Sequence, residues 1–176
     1  MNTRKITYTA LGAAVICVLA PLAVPVGQVP ISMATFAVML MAALLGKSMG
    51  TAAALVYMLL GAAGLPVFAS YKAGISVLLG PTGGYVIGYL FLAWCTGFGS
   101  EKGKWQLVAG MIGGTAILYL FGTVWFVLVT GMDVMGALAV CVIPFLIGDA
   151  LKMAAVFALQ NALFRIRHMV RADSRG

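Results

Sequence analysis

The sequence predicts an all-α integral membrane protein, a bundle of about six transmembrane helices, and three observations predict it. Of its 176 residues 63% are hydrophobic and 9% charged, whereas water-soluble domains carry close to a quarter charged residues. Apolar runs near the length of a bilayer crossing, about 20 residues, recur along the whole chain. The Lys and Arg residues fall mainly between those runs instead of within them. Spans packed this densely leave no room for a soluble catalytic domain, so residues 1–176 read as one transmembrane unit.

The first run, 6–26, follows Arg4 and Lys5. No small-residue cleavage site separates it from the next run, so it is expected to be a retained first helix on a mature N-terminus. The second, 32–46, is shorter than a crossing and is expected either to continue through Lys47 or to tilt less than its neighbours. Runs at 49–67, 81–98, 106–129 and 147–164 complete the set. The fourth is opened by Gly80-Pro81-Thr82, where Pro suits a helix start because its missing N–H would have no partner there.

Basic residues near span ends mark the cytoplasmic side. Arg4 and Lys5, Lys47, Lys102 and Lys104, and Arg165, Arg167, Arg171 and Arg175 all fall on one side, nine of the 11 Lys and Arg residues. Lys72 stands alone on the other side and Lys152 lies within span six. Both termini are therefore expected in the cytoplasm, with 27–31, 68–80 and 130–146 as outer loops. In the third loop the apolar stretch 137–143, ended by Pro144, suggests a short helix over the bundle. The net charge of +7 serves topology, since the basic residues form no patch for nucleic acid. Small residues four apart let membrane helices approach closely. Gly84/Gly88 and Gly110/Gly114 suit internal packing, while Ala10/Ala14, in the cytoplasmic half of span one, suit docking of another membrane subunit.

Asp149 and Lys152 are the residues most suited to a site. An ionisable group within a span costs about 2.5–3.5 kcal/mol on insertion scales, so such groups face a cavity or each other. At i and i+3 they share a helix face and present an acceptor and a donor to one ligand. The competing reading is an ion pair that only orients the helix. Lys72, in the polar segment 68–76, suits an anionic group or is simply a solvated lysine. Gly80-Pro81-Thr82-Gly83-Gly84-Tyr85 joins a turn to a helix start with free N–H groups, as ordinary capping also would.

Enzyme motifs fail on spacing. Gly46-Lys47-Ser48 ends like a phosphate-binding loop, but the required earlier glycine position holds Met41. His168 is the sole histidine, so neither a histidine metal cluster nor a Ser-His-Asp arrangement is available. Glu101 and Asp133 fall in opposite loops, and Cys17, Cys95 and Cys141 are widely separated, as packing cysteines are. Trp94, Phe121 and Trp125 read as lipid-facing or core side chains. No catalytic residue, metal site or cofactor is expected.

Four segments then carry a resemblance that runs nearly end to end. They are Val29-Pro30-Ile31-Ser32, Gly64-Leu65-Pro66-Val67-Phe68-Ala69, Gly80-Pro81-Thr82-Gly83-Gly84-Tyr85, and Pro144-Phe145-Leu146-Ile147-Gly148-Asp149 with Lys152. The chain resembles the BioY family, the biotin-specific subunits of energy-coupling-factor transporters. The resemblance implies a six-helix bundle in the prokaryotic cell membrane that binds biotin near its outer surface. It also implies docking through span one on a transmembrane coupling subunit driven by two ATPases. Asp149 and Lys152 would contact the ligand, and Lys72, Gly74, Ser76, Gly84 and Tyr85 would close around it. The chain departs from the family pattern at Ala34, where Gln is frequent, at Ile147, where Pro is frequent, and in the less glycine-rich Ser70-Tyr71-Lys72-Ala73.

Three other readings compete with this one. The same fold could carry another vitamin, the chain could be an autonomous proton-coupled transporter using Asp149, or it could be a structural subunit that binds no small ligand.

Overall fold

A computed structural model describes residues 3–24, 29–159, 162, 164 and 165. The end of the first predicted span, part of the first outer loop, parts of the end of span six, and the tail with Arg167, His168, Arg171 and Arg175 lie outside the described residues. In chain order the elements are α1 (Thr3–Leu19), a strand pair of β1 (Ala23–Val24) and β2 (Ile31–Ser32), and α2 (Ala34–Ala62). A 3-10 turn (Ala69–Tyr71), α3 (Ile75–Leu79), α4 (Gly83–Lys102), α5 (Lys104–Thr130), α6 (Val134–Cys141) and α7 (Ile143–Ala158) follow. Among the described residues α1, the two arms of α2, α4, α5 and α7 form the six-helix bundle that the hydropathy predicts.

α2 holds the second and third predicted spans in one element that doubles back at Gly46, whose φ of 82° and ψ of 179° suit glycine alone. The arms lie so close beyond the turn that a methyl group on Gly50 would come within 2.7 Å of the Ala42 Cα. This explains the short second span: one residue makes the turn, so 34–45 and 47–62 need no loop. The turn rests on Gly97 of α4, where a Cβ would meet the Lys47 backbone, and the Lys47 N–H donates to the Glu101 carboxylate at 3.2 Å.

α4 and α5 form the second hairpin, turning at Gly103. Gly84 and Gly88 sit against Trp125 and Leu118, and Gly110 and Gly114 against Cys95 and Leu92, so both glycine pairs serve internal packing. Ala10 and Ala14 lie exposed on α1. The core fills the space between α1, α2, α4 and α5, with Ile16, Met39, Tyr57, Leu92, Met111 and Phe126 essentially sealed. Val18, Leu120, Leu128 and Ile147 point outward, as lipid-facing side chains do.

Several boundaries differ from the hydropathy reading. α1 stops at Leu19, short of 26, because Pro21 has no N–H to continue the helix although the residues after it remain apolar. Ala23 and Val24 instead pair antiparallel with Ser32 and Ile31. The second arm of α2 ends at Ala62, ahead of Gly64 and Pro66. The third outer loop does contain a short helix, α6, but it leads directly into α7 across a break at Val142 (φ −123°, ψ −55°). Pro144 therefore belongs to the first turn of α7 rather than ending the earlier helix. The apolar stretches Lys104–Thr130 and Val134–Ala158 are each long enough to cross a membrane.

Candidate ligand-binding site

α7 buries Phe145, Asp149 and Val156 along one stripe, so a carboxylate occupies the middle of its inward face. Asp149 is 2% exposed and meets Lys152 one turn later, with Nζ 2.9 Å from Oδ1. Strand β2, α5 and the start of α2 supply the rest of the cluster. Lys152 Nζ donates to the Ser32 carbonyl at 2.7 Å and to Thr35 Oγ1 at 2.9 Å, while the Thr35 hydroxyl donates to Asp149 Oδ1 at 2.9 Å. From α5 the Tyr119 hydroxyl donates to Oδ2 at 2.6 Å. An ammonium group has three hydrogens, and here each has an acceptor inside the protein. Charge-assisted bonds of this kind offset the desolvation of the pair. The Asp149 carboxylate accepts three bonds and keeps lone-pair capacity on Oδ2, where Tyr119 is its single partner among the described residues.

The cluster opens onto a cavity that is partly open to the outside of the bundle. Its wall is aromatic: Tyr57, Phe68, Tyr85, Tyr89, Tyr119 and Phe145 all line it. Phe68 stands edge-on to Tyr57 at 5.6 Å between ring centres, and its ring rests on Gly61, where any side chain would collide with it. The Trp125 indole N–H donates to the Gly80 carbonyl at 2.9 Å and so pins the turn that brings Thr82 and Tyr85 to the wall. Lys72 lines the cavity while remaining exposed, which places a cation at its open end.

The structure thus brings Asp149, Lys152, Lys72 and Tyr85 together around one cavity. It places Gly74, Ser76 and Gly84 away from the lining. Gly74 sits at φ 92° ahead of α3 and donates its N–H to the Gly61 carbonyl at 2.8 Å, a backbone role in folding the loop. Ser76 is exposed on α3, and Gly84 is covered by Trp125 in the α4–α5 contact. Glu101 and Asp133 serve locally, the first at the Gly46 turn and the second capping α6 through the Gly136 N–H. Sequence reasoning missed Thr35, Ser32 and Tyr119. Ser32 stands in a segment that carried the family resemblance, but a lone hydroxyl in an apolar run gives no signal to set it apart.

A helical bundle with a half-open aromatic cavity, ending on an internally satisfied ion pair, is the architecture of a membrane protein whose cavity suits a small solute with an apolar body and polar ends. The model of the BioY family matches residues 1–169. The chain is 40% identical to the "Biotin transporter BioY" of Thermotoga maritima, over 89% of this chain and 95% of that one. It is 37% identical to the "Biotin transporter BioY2" of Lactococcus lactis subsp. cremoris, over 93% of each. Its fold is similar to a crystal structure of the S-component for biotin from an ECF-type ABC transporter, with a TM-score of 0.81, 24% identity, and 96% of this chain and 92% of that one covered. The chain belongs to the BioY family.

Proposed function

We propose that this protein binds biotin in the cavity around Asp149 and acts as the biotin-capturing component of an uptake system in a prokaryotic cell membrane. The observation that carries the reading is the polarity of the cavity: a buried acceptor at one end, an exposed Lys72 at the other, and aromatic rings between them. Biotin has matching parts. Its ureido N–H groups suit the free lone pairs of Asp149, its fused rings suit the aromatic wall, and its carboxylate suits Lys72. Because Lys152 already spends its hydrogens on Ser32, Thr35 and Asp149, its role is to hold Asp149 in place, and a ureido oxygen would gain a hydrogen from it by displacing one of these acceptors. No catalytic group, metal or cofactor enters this scheme.

The exposed Ala10 and Ala14 face of α1 is the surface on which a transmembrane coupling subunit would dock, with an ATPase pair supplying the energy that this chain has no phosphate-binding loop to harvest. Relatives named as biotin transporters support the ligand. Equilibrium binding to purified protein against a vitamin panel is the test. Biotin should bind at least about a hundredfold tighter than thiamin or riboflavin. Asp149→Ala and Lys152→Ala should each lose about a hundredfold or more, the cost of leaving one partner of a buried pair unmatched. Equal affinity for unrelated vitamins, or undiminished biotin binding in both variants, would overturn the proposal.

A further inference from the structure

Asp149 and Lys152 lie on a helix that begins at a backbone break, and something must fix the direction in which that helix leaves the break. At Val142 the α-helical ladder is interrupted. Pro144 has no N–H, and the Phe145 N–H, which in a continuous helix would reach the Cys141 carbonyl, bonds instead to Val142 at 3.0 Å. The Cys141 carbonyl is thereby released in a fully buried position, where an unpaired acceptor is costly. The Tyr85 hydroxyl from α4 donates to it at 3.0 Å. The Tyr85 ring is itself wedged flat on Gly122 of α5, where a side chain would collide with it. The break is thus tied to the α4–α5 hairpin by one rigid side chain.

Among the described residues few other fully buried side chains hold α7, with Met153 and Phe157 packed partly buried against the core. Its buried side chains are Phe145, Asp149 and Val156, and its polar contacts are those of the cluster itself. Between α5 and the later turns of α7 lies an open apolar cleft lined by Trp105, Met111, Met153 and Phe157 among others, where the Trp105 and Phe157 rings meet at 6.2 Å between centres.

From this geometry we infer that Tyr85 is a positioning residue: its hydroxyl anchors the α6–α7 break and so sets where Asp149 and Lys152 stand, instead of spending its hydrogen on the ligand. The inference rests on the proposed biotin site for its ligand but not for its geometry.

The test uses Tyr85→Phe, which keeps the ring on Gly122 and deletes the hydroxyl. Spin labels go at Val124 of α5 and Leu151 of α7, both exposed, in a protein whose Cys17, Cys95 and Cys141 are replaced by Ala. In ligand-free protein the Val124–Leu151 distance distribution should shift or broaden. Biotin affinity should fall about tenfold, the scale of a buried acceptor left unpaired, and by less when Thr35→Val has already loosened the cluster. An unchanged distance distribution overturns the inference, as does a changed distribution with undiminished affinity. So does a full tenfold loss that simply adds to that of Thr35→Val, which would make the hydroxyl a direct ligand contact. If the parent protein binds no biotin, the proposed function fails and the distance measurement alone decides the role of Tyr85.

Discussion

Thr35 joins the two charges of the site, accepting from Lys152 and donating to Asp149, each at 2.9 Å. Thr35→Val keeps the shape of the side chain and removes both bonds, leaving the ammonium one acceptor short and the carboxylate one donor short in a buried place. Such a loss costs about 1–3 kcal/mol, so biotin affinity is expected to drop about ten- to hundredfold. Thr35→Ser, which retains the hydroxyl, should stay within about threefold of the parent. Titration of the purified variants checks this, and a Val variant as tight as the Ser variant would remove Thr35 from the site. Asp149 and Lys152 were legible in the sequence because hydrocarbon penalises charge so heavily that its presence demands an explanation. Thr35, Ser32 and Tyr119 were not, since a hydroxyl in a membrane helix is cheap and common and its neighbours come from helices far away in sequence. Gly74 and Ser76 were implied as ligand contacts by the resemblance, and Gly84 also by the free N–H groups of its turn, while the structure gives Gly74 and Gly84 backbone and packing roles that a sequence motif does not distinguish from binding.

At the scale of elements, the runs of hydropathy located the helices but not the manner of their connection. The gap between 46 and 49 was visible, yet nothing in hydropathy shows that one glycine at φ 82° reverses the chain, because that depends on Gly50 passing close over Ala42. The end of α1 was overrun for a related reason: the residues beyond Pro21 are apolar, and hydropathy does not register a missing N–H. The Gly46 turn makes a prediction of its own. Gly46→Ala forces a β-carbon into a backbone conformation that L-residues avoid, at roughly 1–3 kcal/mol, and should lower the thermal unfolding midpoint in detergent. The turn stands on Gly97 and Glu101, outside the cavity lining, so folded Gly46→Ala protein should bind biotin about as tightly as the parent. Unaltered stability would mean that the turn relaxes to another conformation. Weakened binding without loss of stability would mean that it is coupled to the site.

For the whole molecule the decisive property is orientation, because a capture site is useful for uptake only if it opens outward. The charge distribution and the cavity bear on this independently. Lys47 at the hairpin turn and Lys102 and Lys104 between α4 and α5 mark one end of the bundle, while the Lys72 loop and the cavity mouth it lines lie at the other. Positive charge near helix ends is retained in the cytoplasm, which predicts that the mouth faces outside. In a background with the three native cysteines replaced, Ser76→Cys beside the mouth and Ser48→Cys beside the hairpin turn are both exposed positions outside the ion-pair cluster. A membrane-impermeant maleimide applied to intact cells should label Ser76→Cys and should reach Ser48→Cys after permeabilisation alone. The reverse pattern would place the cavity on the cytoplasmic side, where the Asp149 cluster could serve export or intracellular sensing but not capture from the medium, and the uptake proposal would fail even if biotin affinity proved high.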